Sequence, residues 1–216
     1  MTLDELFIRR SVVLGSALVY WVGVWIQARR VRKRIGRSPN LKPRGLKERL
    51  LYLGWFLVVA GWIALPLLAR PEAGSPWVRP VALLLGPGGL VAGVGLMIAG
   101  YAGTLWCYAA MGEHWRIGVD RRRKGTLVTG GPYRAVRHPI YLFQMVMLAA
   151  VAVLLPAGLP LALGALHLVC VLIKARDEES HLLESHGESY RAYRARTGML
   201  LPPWFTPPRS AHEKSS

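Results

Sequence analysis

The chain has 216 residues, 52% of them hydrophobic, with a positive mean hydropathy of +0.28 and a formal charge of +16. A soluble domain rarely combines that apolar content with that net charge, whereas a membrane protein separates the two, apolar spans in lipid and basic loops outside it. The charge alone would suit a nucleic-acid binder, but the apolar residues fall in long runs, so the basic ones read as topology signals and no nucleic-acid partner is expected.

The first span is predicted over 11–28. A cleaved leader is the competing reading, because Arg9 and Arg10 precede the apolar run. Asp4 and Glu5 in the same leader oppose it, as does a run that ends in Ile26-Gln27-Ala28-Arg29-Arg30 without a small-residue cleavage site. The second span covers 50–69. The third, 81–108, carries seven glycines: Gly86, Gly88, Gly89, Gly93, Gly95, Gly100 and Gly103. A phosphate-binding loop needs a strand before it and a polar helix after it, and neither is present. Small residues that let neighbouring helices approach in lipid are the expected reading. The fourth and fifth spans, 140–155 and 161–173, form a hairpin around the turn at 156–160. Sixteen helical residues reach about 24 Å against a hydrocarbon core of about 30 Å, so the hairpin is expected to thin the bilayer or stop short of its far face.

Lys and Arg set the orientation. Ten lie in 29–49, seven in 116–137 and seven from Lys174 onward, against only Arg9, Arg10, Arg70 and Arg79 on the other side. That bias puts the N-terminus outside and the C-terminus in the cytoplasm. Beyond the fifth span, Leu182, Leu183, Tyr190 and Tyr193 sit among charges in 178–197, as in a helix lying at the interface. Pro202-Pro203-Trp204-Phe205 reads as an interfacial anchor, and 206–216 as a disordered tail. The expected architecture is an all-α polytopic membrane bundle of about five helices. Three spans occupy 1–110, and a region carrying the chemistry occupies 111–205. Cys107 and Cys170, in or at the end of apolar runs, fit neither a disulfide framework nor a zinc spacing and read as packing residues. No metal site is expected.

Two clusters call for a functional explanation. The first is Leu127-Val128-Thr129-Gly130-Gly131-Pro132-Tyr133-Arg134-Ala135-Val136-Arg137-His138-Pro139-Ile140-Tyr141, leading into the fourth span. Gly130-Gly131-Pro132 forces a turn, and Pro139 suits the first turn of a helix, which puts Arg137 and His138 at its mouth. The second is Lys174-Ala175-Arg176-Asp177-Glu178-Glu179, at the base of the fifth span. A hairpin brings its two bases together at one membrane depth. A plain ion pair between Arg137 and Glu178 is the structural reading of that meeting, and it stands beside the functional one.

Together with Gly187-Glu188-Ser189-Tyr190-Arg191-Ala192-Tyr193, these motifs resemble the C-terminal half of the isoprenylcysteine carboxyl methyltransferase and phospholipid methyltransferase superfamily, over roughly 112–203. The resemblance implies S-adenosyl-L-methionine as cofactor, in a cytoplasm-facing pocket. Carried over by position, the cofactor contacts are Gly125, Thr126, Leu127, Val128, Tyr133, His138, Pro139, Ile140, Tyr141 and Glu178. The acceptor-binding basic residue falls on Lys174, where the eukaryotic carboxyl methyltransferases have arginine; a lysine lacks the two-pronged grip on a carboxylate. Arg137 or His138 is the expected partner of the cofactor carboxylate, and Glu178 of its amine. Tyr133 and Tyr141 offer aromatic faces to the adenine or the cation. Methyl transfer needs alignment more than acid-base help. A protonated amine acceptor would need a base, for which His138 and Glu179 are the nearest candidates; a carboxylate or thiolate would not.

The remaining histidines read more plainly. His114 is a candidate neighbour of the pocket, and His181 and His186 are off a common helix face. His167, inside the fifth span, is expected to hydrogen-bond a neighbouring helix. The Arg121-Arg122-Arg123-Lys124 run reads as a topology and anionic-lipid signal. Two alternatives to a methyltransferase of a lipidic acceptor stay open: an NADPH-dependent membrane reductase of the sterol type, and a non-catalytic lipid-binding protein.

Overall fold

A computed structural model describes residues 3–36, 45–70, 73–81, 85–112 and 126–205. Among these residues six helices follow one another: α1 (Leu3–Ile35), α2 (Leu46–Leu68), α3 (Pro87–Met111), α4 (Pro139–Leu154), α5 (Gly158–His186) and α6 (Glu188–Arg196). Short 3-10 turns cover Gly131–Arg134 and Pro203–Phe205. The described residues form no strand, and their one β-type pairing is a parallel bridge between Val136 and Gly198. α1, α2, α3 and α5 are long and apolar enough to cross a membrane, while α4, at 16 residues, is shorter. Phe7, Leu18, Phe56, Val91 and Ile98 are exposed on these helices, as side chains that face lipid should be. The protein is an all-α polytopic membrane bundle.

Proline opens two of the helices. Pro87 and Pro139 stand at the starts of α3 and α4, where a missing N–H costs nothing and a fixed φ favours the helix. Glycine then decides how closely the helices pack. A Cβ on Gly93 would fall 2.6 Å from Leu154 Cγ, one on Gly100 2.9 Å from the Phe143 carbonyl, and one on Gly103 2.3 Å from the Phe143 ring. α3 therefore lies directly on the antiparallel α4, backbone against side chain, as small residues permit in lipid. Gly86, Gly88 and Gly95 have nothing within 4 Å and take no part. Gly54 and Gly61 play the same role between α2 and α5, against Cys170 and Leu163.

The hairpin tip is covered by protein. Leu155 and Ala157 are buried beneath the segment after α2, through hydrogen bonds from Val81 N to Pro156 O (2.8 Å) and from Leu159 N to Trp77 O (2.9 Å). α1 secures the same end. Arg9 is fully buried and donates to the carbonyls of Val153 (3.2 Å), Leu154 (3.1 Å) and Gly86, with Glu5 2.9 Å from its guanidinium. The last carbonyls of α4 have no partner within their own helix, and the guanidinium supplies it. Arg10 donates to the Pro66 carbonyl in the last turn of α2. The sequence counts these two arginines as charges on one side; the fold uses them as caps.

The expected interfacial helix over 178–197 is divided. Nothing between Lys174 and His186 breaks a helix, so α5 runs on past its apolar part. Gly187, at φ 53°, then turns the chain, a conformation glycine adopts without a Cβ penalty. α6 folds back and buries Tyr190 and Tyr193, while Leu182 remains on α5. Trp204 and Phe205 are exposed. The tail, 206–216, lies outside the described residues.

Candidate active site

The site forms at the basic end of the bundle, where the entry to α4, the polar extension of α5 and α6 converge. Gly131, at φ 58°, makes the turn that brings the chain from α3 to α4. A Cβ there would crowd Ala110 (3.1 Å) and the Trp106 indole (3.3 Å). The chain then pairs with the residues after α6: Gly198 N donates to Ala135 O (3.1 Å), Arg137 N to Gly198 O (2.8 Å) and His138 N to Met199 O (3.1 Å). Gly198 suits this pairing because a Cβ would fall 1.6 Å from the Leu201 carbonyl. Tyr193 Oη donates to the Tyr133 carbonyl (2.8 Å), fixing α6 to the same turn.

Arg137 and the two glutamates take different parts. The Arg137 guanidinium donates to Glu179 Oε1 (2.7 Å), to the Arg194 carbonyl (3.3 Å) and to the Thr197 carbonyl. Its ion partner is thus Glu179, not Glu178, and it ties α4 to α5 and α6. Burial alone would raise the Glu179 pKa, but His138 and Arg137 outweigh it and hold the carboxyl down at about 2. Glu178 faces the other way. Its Oε1 accepts from Tyr141 Oη (2.9 Å), and its Oε2 lies 3.4 Å from His138 Nδ1. His138 sits between the carboxylates, its Nε2 3.4 Å from Glu179 Oε1 yet without a hydrogen bond, and its ring stacks on Tyr141 at 5.8 Å. Burial disfavours the imidazolium, but the two glutamates prevail and raise its pKa above the ordinary value.

These groups open onto a cavity of about 340 Å³ that runs from the basic end into the apolar part of the bundle. At the basic end Thr126, Leu127, Val128, Tyr133, Arg137, His138, Ile140, Tyr141 and Glu178 line it, all of them residues the sequence singles out. Pro139 is buried at the helix start and does not line the cavity, nor does Glu179. Lys174 is buried one turn before Glu178, also away from the lining. Gly125, His114 and the 121–124 basic run lie outside the described residues.

The deeper half is lined by residues of the apolar spans. Tyr20 of α1, Trp55, Val58, Val59 and Trp62 of α2, Gln144 of α4 and His167 of α5 line it, and His181 joins the basic half. Gln144 Nε2 donates to Tyr20 Oη (2.7 Å). His167, expected to bond a neighbouring helix, has no hydrogen-bond partner at either ring nitrogen among the described residues. The one available signal was the spacing of α2: positions 55, 58, 59 and 62 lie on one helical face.

Comparison with known proteins agrees with this geometry. Residues 89–189, from the start of α3 into α6, match the model of the phospholipid methyltransferase family. The chain is also 27% identical over 148 residues to the cobalt-zinc-cadmium resistance protein CzcN of Cupriavidus metallidurans. That match covers 68% of this chain and 62% of the relative, so the chain spans less than two thirds of that protein's length. The matched segment contains the close-packed pair α3 and α4, the turn at Gly131, the hairpin that follows it and both glutamates, and over these residues the chain is similar to the phospholipid methyltransferase family.

Proposed function

We propose that the protein transfers a methyl group from S-adenosyl-L-methionine to a hydrophobic acceptor that reaches the cavity from the bilayer, with the basic end of the bundle in the cytoplasm. The observation that carries this reading is the single cavity, polar at one end and apolar at the other, into which Glu178, Tyr141 and His138 face together.

The donor set fits such a cofactor. Glu178 is a carboxylate held by Tyr141 and His138 with part of its surface toward the cavity, a suitable partner for an ammonium. His138 lines the same wall with its ring nitrogens turned toward Glu178 and Glu179, which fixes the ring beside Tyr141. Tyr133 and Tyr141 present aromatic surface on the same wall. When bound, the cofactor supplies an electrophilic methyl group on a sulfonium. The protein's contribution is alignment: the Arg137 tie holds the entry to α4 against α5 and α6, so the contacts on either side of the cavity keep a fixed spacing. Lys174, the residue expected to meet an anionic group on the acceptor, is buried on the stripe of α5 that carries Glu178 and does not line the cavity, so Arg137 is the cation that faces it. A thiolate or carboxylate acceptor needs no proton removed, whereas an amine does, and of the two expected bases only His138 lines the cavity, Glu179 being tied to Arg137.

The test is binding of S-adenosylhomocysteine to the purified protein in detergent, by calorimetry. Saturable binding is expected, weakened roughly tenfold or more in Glu178→Gln, which removes a charge-assisted contact. A folded sample that does not bind it, or that binds NADPH instead, overturns the proposal.

A further inference from the structure

The deeper half of the cavity holds an imbalance of hydrogen-bonding groups. Trp55 Nε1, Trp62 Nε1 and both ring nitrogens of His167 are buried with no hydrogen-bond partner among the described residues, and all three side chains line the cavity. His167 and Trp62 are each only 5% exposed. They follow one another along the cavity, Trp55 and Trp62 being seven residues, about 10 Å, apart on α2. The pairs Gly54 with Cys170 and Gly61 with Leu163 set the register of α2 against α5, which places His167 between Trp55 and Trp62. Eleven residues separate His167 from Glu178, about 16 Å along α5, whereas the Trp55 ring lies 6.5 Å from that of Tyr141, nearer the Glu178 end.

An indole N–H can only donate, and a neutral imidazole always carries one donor. Three donors left without acceptors at this depth would each forfeit a hydrogen bond that water supplies in the unfolded chain. The charged residues that line the cavity, Arg137 and Glu178, belong to its basic end; Tyr20, Val58, Val59 and Gln144 line the deeper half, and Tyr20 is already engaged by Gln144. An anionic oxygen would be desolvated there without a counter-charge, and a plain hydrocarbon would leave the donors unmet. We propose that Trp55, Trp62 and His167 form a recognition subsite for an uncharged oxygen acceptor (an ester, ketone or ether oxygen) carried by the lipidic molecule that enters the cavity. This rests on the reading of the cavity as the place where a hydrophobic methyl acceptor binds. It adds that the acceptor bears a neutral oxygen function well inside its apolar portion, and it makes these three residues determinants of specificity.

A matched pair of probes tests it: methyl dodecanoate and tetradecane, of similar length, with and without an ester. Full-length protein in detergent micelles is titrated with each at equal micellar mole fraction, following thermal stabilisation. Wild type should prefer the ester by roughly fivefold to tenfold in apparent affinity, the size of a net hydrogen bond. His167→Phe and Trp62→Phe should each reduce the preference severalfold, and His167→Gln, which keeps a donor, should retain part of it. His167→Phe should also leave the unliganded protein as stable as wild type or more so, because an unmet polar group has been removed. Equal response to both probes, or a preference that survives His167→Phe and Trp62→Phe, overturns the subsite. S-adenosylhomocysteine binding, measured in parallel on the same variants, should be unchanged. If wild type fails to bind it, the methyltransferase reading falls, while the ester preference still reports on the subsite.

Discussion

Replacing Glu179 by glutamine tests whether the arginine tie organises the site. The Arg137 and Glu179 side chains are 3% and 11% exposed, and their charged atoms are 2.7 Å apart. Removing one partner of such a pair leaves a buried charge uncompensated, at about 3–5 kcal/mol. Arg137 keeps its two carbonyl acceptors, from Arg194 and Thr197, so the loss should sit near about 3 kcal/mol. For a chain of this length about 1 kcal/mol shifts the melting temperature by roughly 2–4 °C, which predicts a fall of about 6–12 °C in Glu179→Gln. The exposed pair Lys47 and Asp177, at 2.6 Å with the lysine 58% exposed, is the control. Lys47→Ala should move the midpoint by about 2 °C or less, since solvent screens such a pair. A double variant, Arg137→Met with Glu179→Leu, should be less destabilised than the sum of its two singles, because the second change removes the charge that the first strands. The assay is thermal unfolding in one detergent, with tryptophan fluorescence as the signal. A Glu179→Gln midpoint within the range of Lys47→Ala would refute the reasoning, and with it the claim that the tie sets the spacing of the cavity walls.

Two further predictions concern packing and pH. Gly100→Ala should destabilise by about 1–3 kcal/mol, because its methyl meets the Phe143 backbone at 2.9 Å and forces α3 from α4. Gly95→Ala, with nothing within 4 Å, should be neutral or slightly stabilising in the same thermal assay. His138, whose pKa is raised in the fold, contributes stability that is complete below its unfolded value of about 6.5 and is lost as pH rises through the higher folded value. Melting temperatures of wild type should therefore fall on the alkaline side of about pH 6.5 more steeply than those of His138→Gln, and parallel profiles would contradict the assignment.

Much of this architecture was legible in the sequence because lipid imposes simple rules. Apolar runs place the helices to within a few residues at most ends, and Pro139 marks the start of α4. The hairpin between the two motif clusters puts Arg137 and His138 beside the glutamates. What could not be read were contacts made by residues far apart in the chain. Whether Arg137 takes Glu178 or Glu179 depends on the rotation of α5 about its axis. The choice of Gly93, Gly100 and Gly103 over Gly95 depends on which face of α3 meets α4. Gly198 gave no signal, since its requirement arises from a turn that closes back on it. His167 looked like an ordinary intramembrane histidine, and only the register of α2 against α5 reveals its unmet nitrogens.

The guanidinium of Arg9 has a consequence for biogenesis. Its acceptors on α4 are 144 and 145 positions further along the chain. During synthesis α1 therefore enters the bilayer long before those carbonyls exist, carrying a cation whose final partners are still to be made. Until the closing hairpin arrives, that cation must stay near the headgroups. The first helix can settle to its final depth only when the last two are inserted, so assembly of the bundle ends where it began.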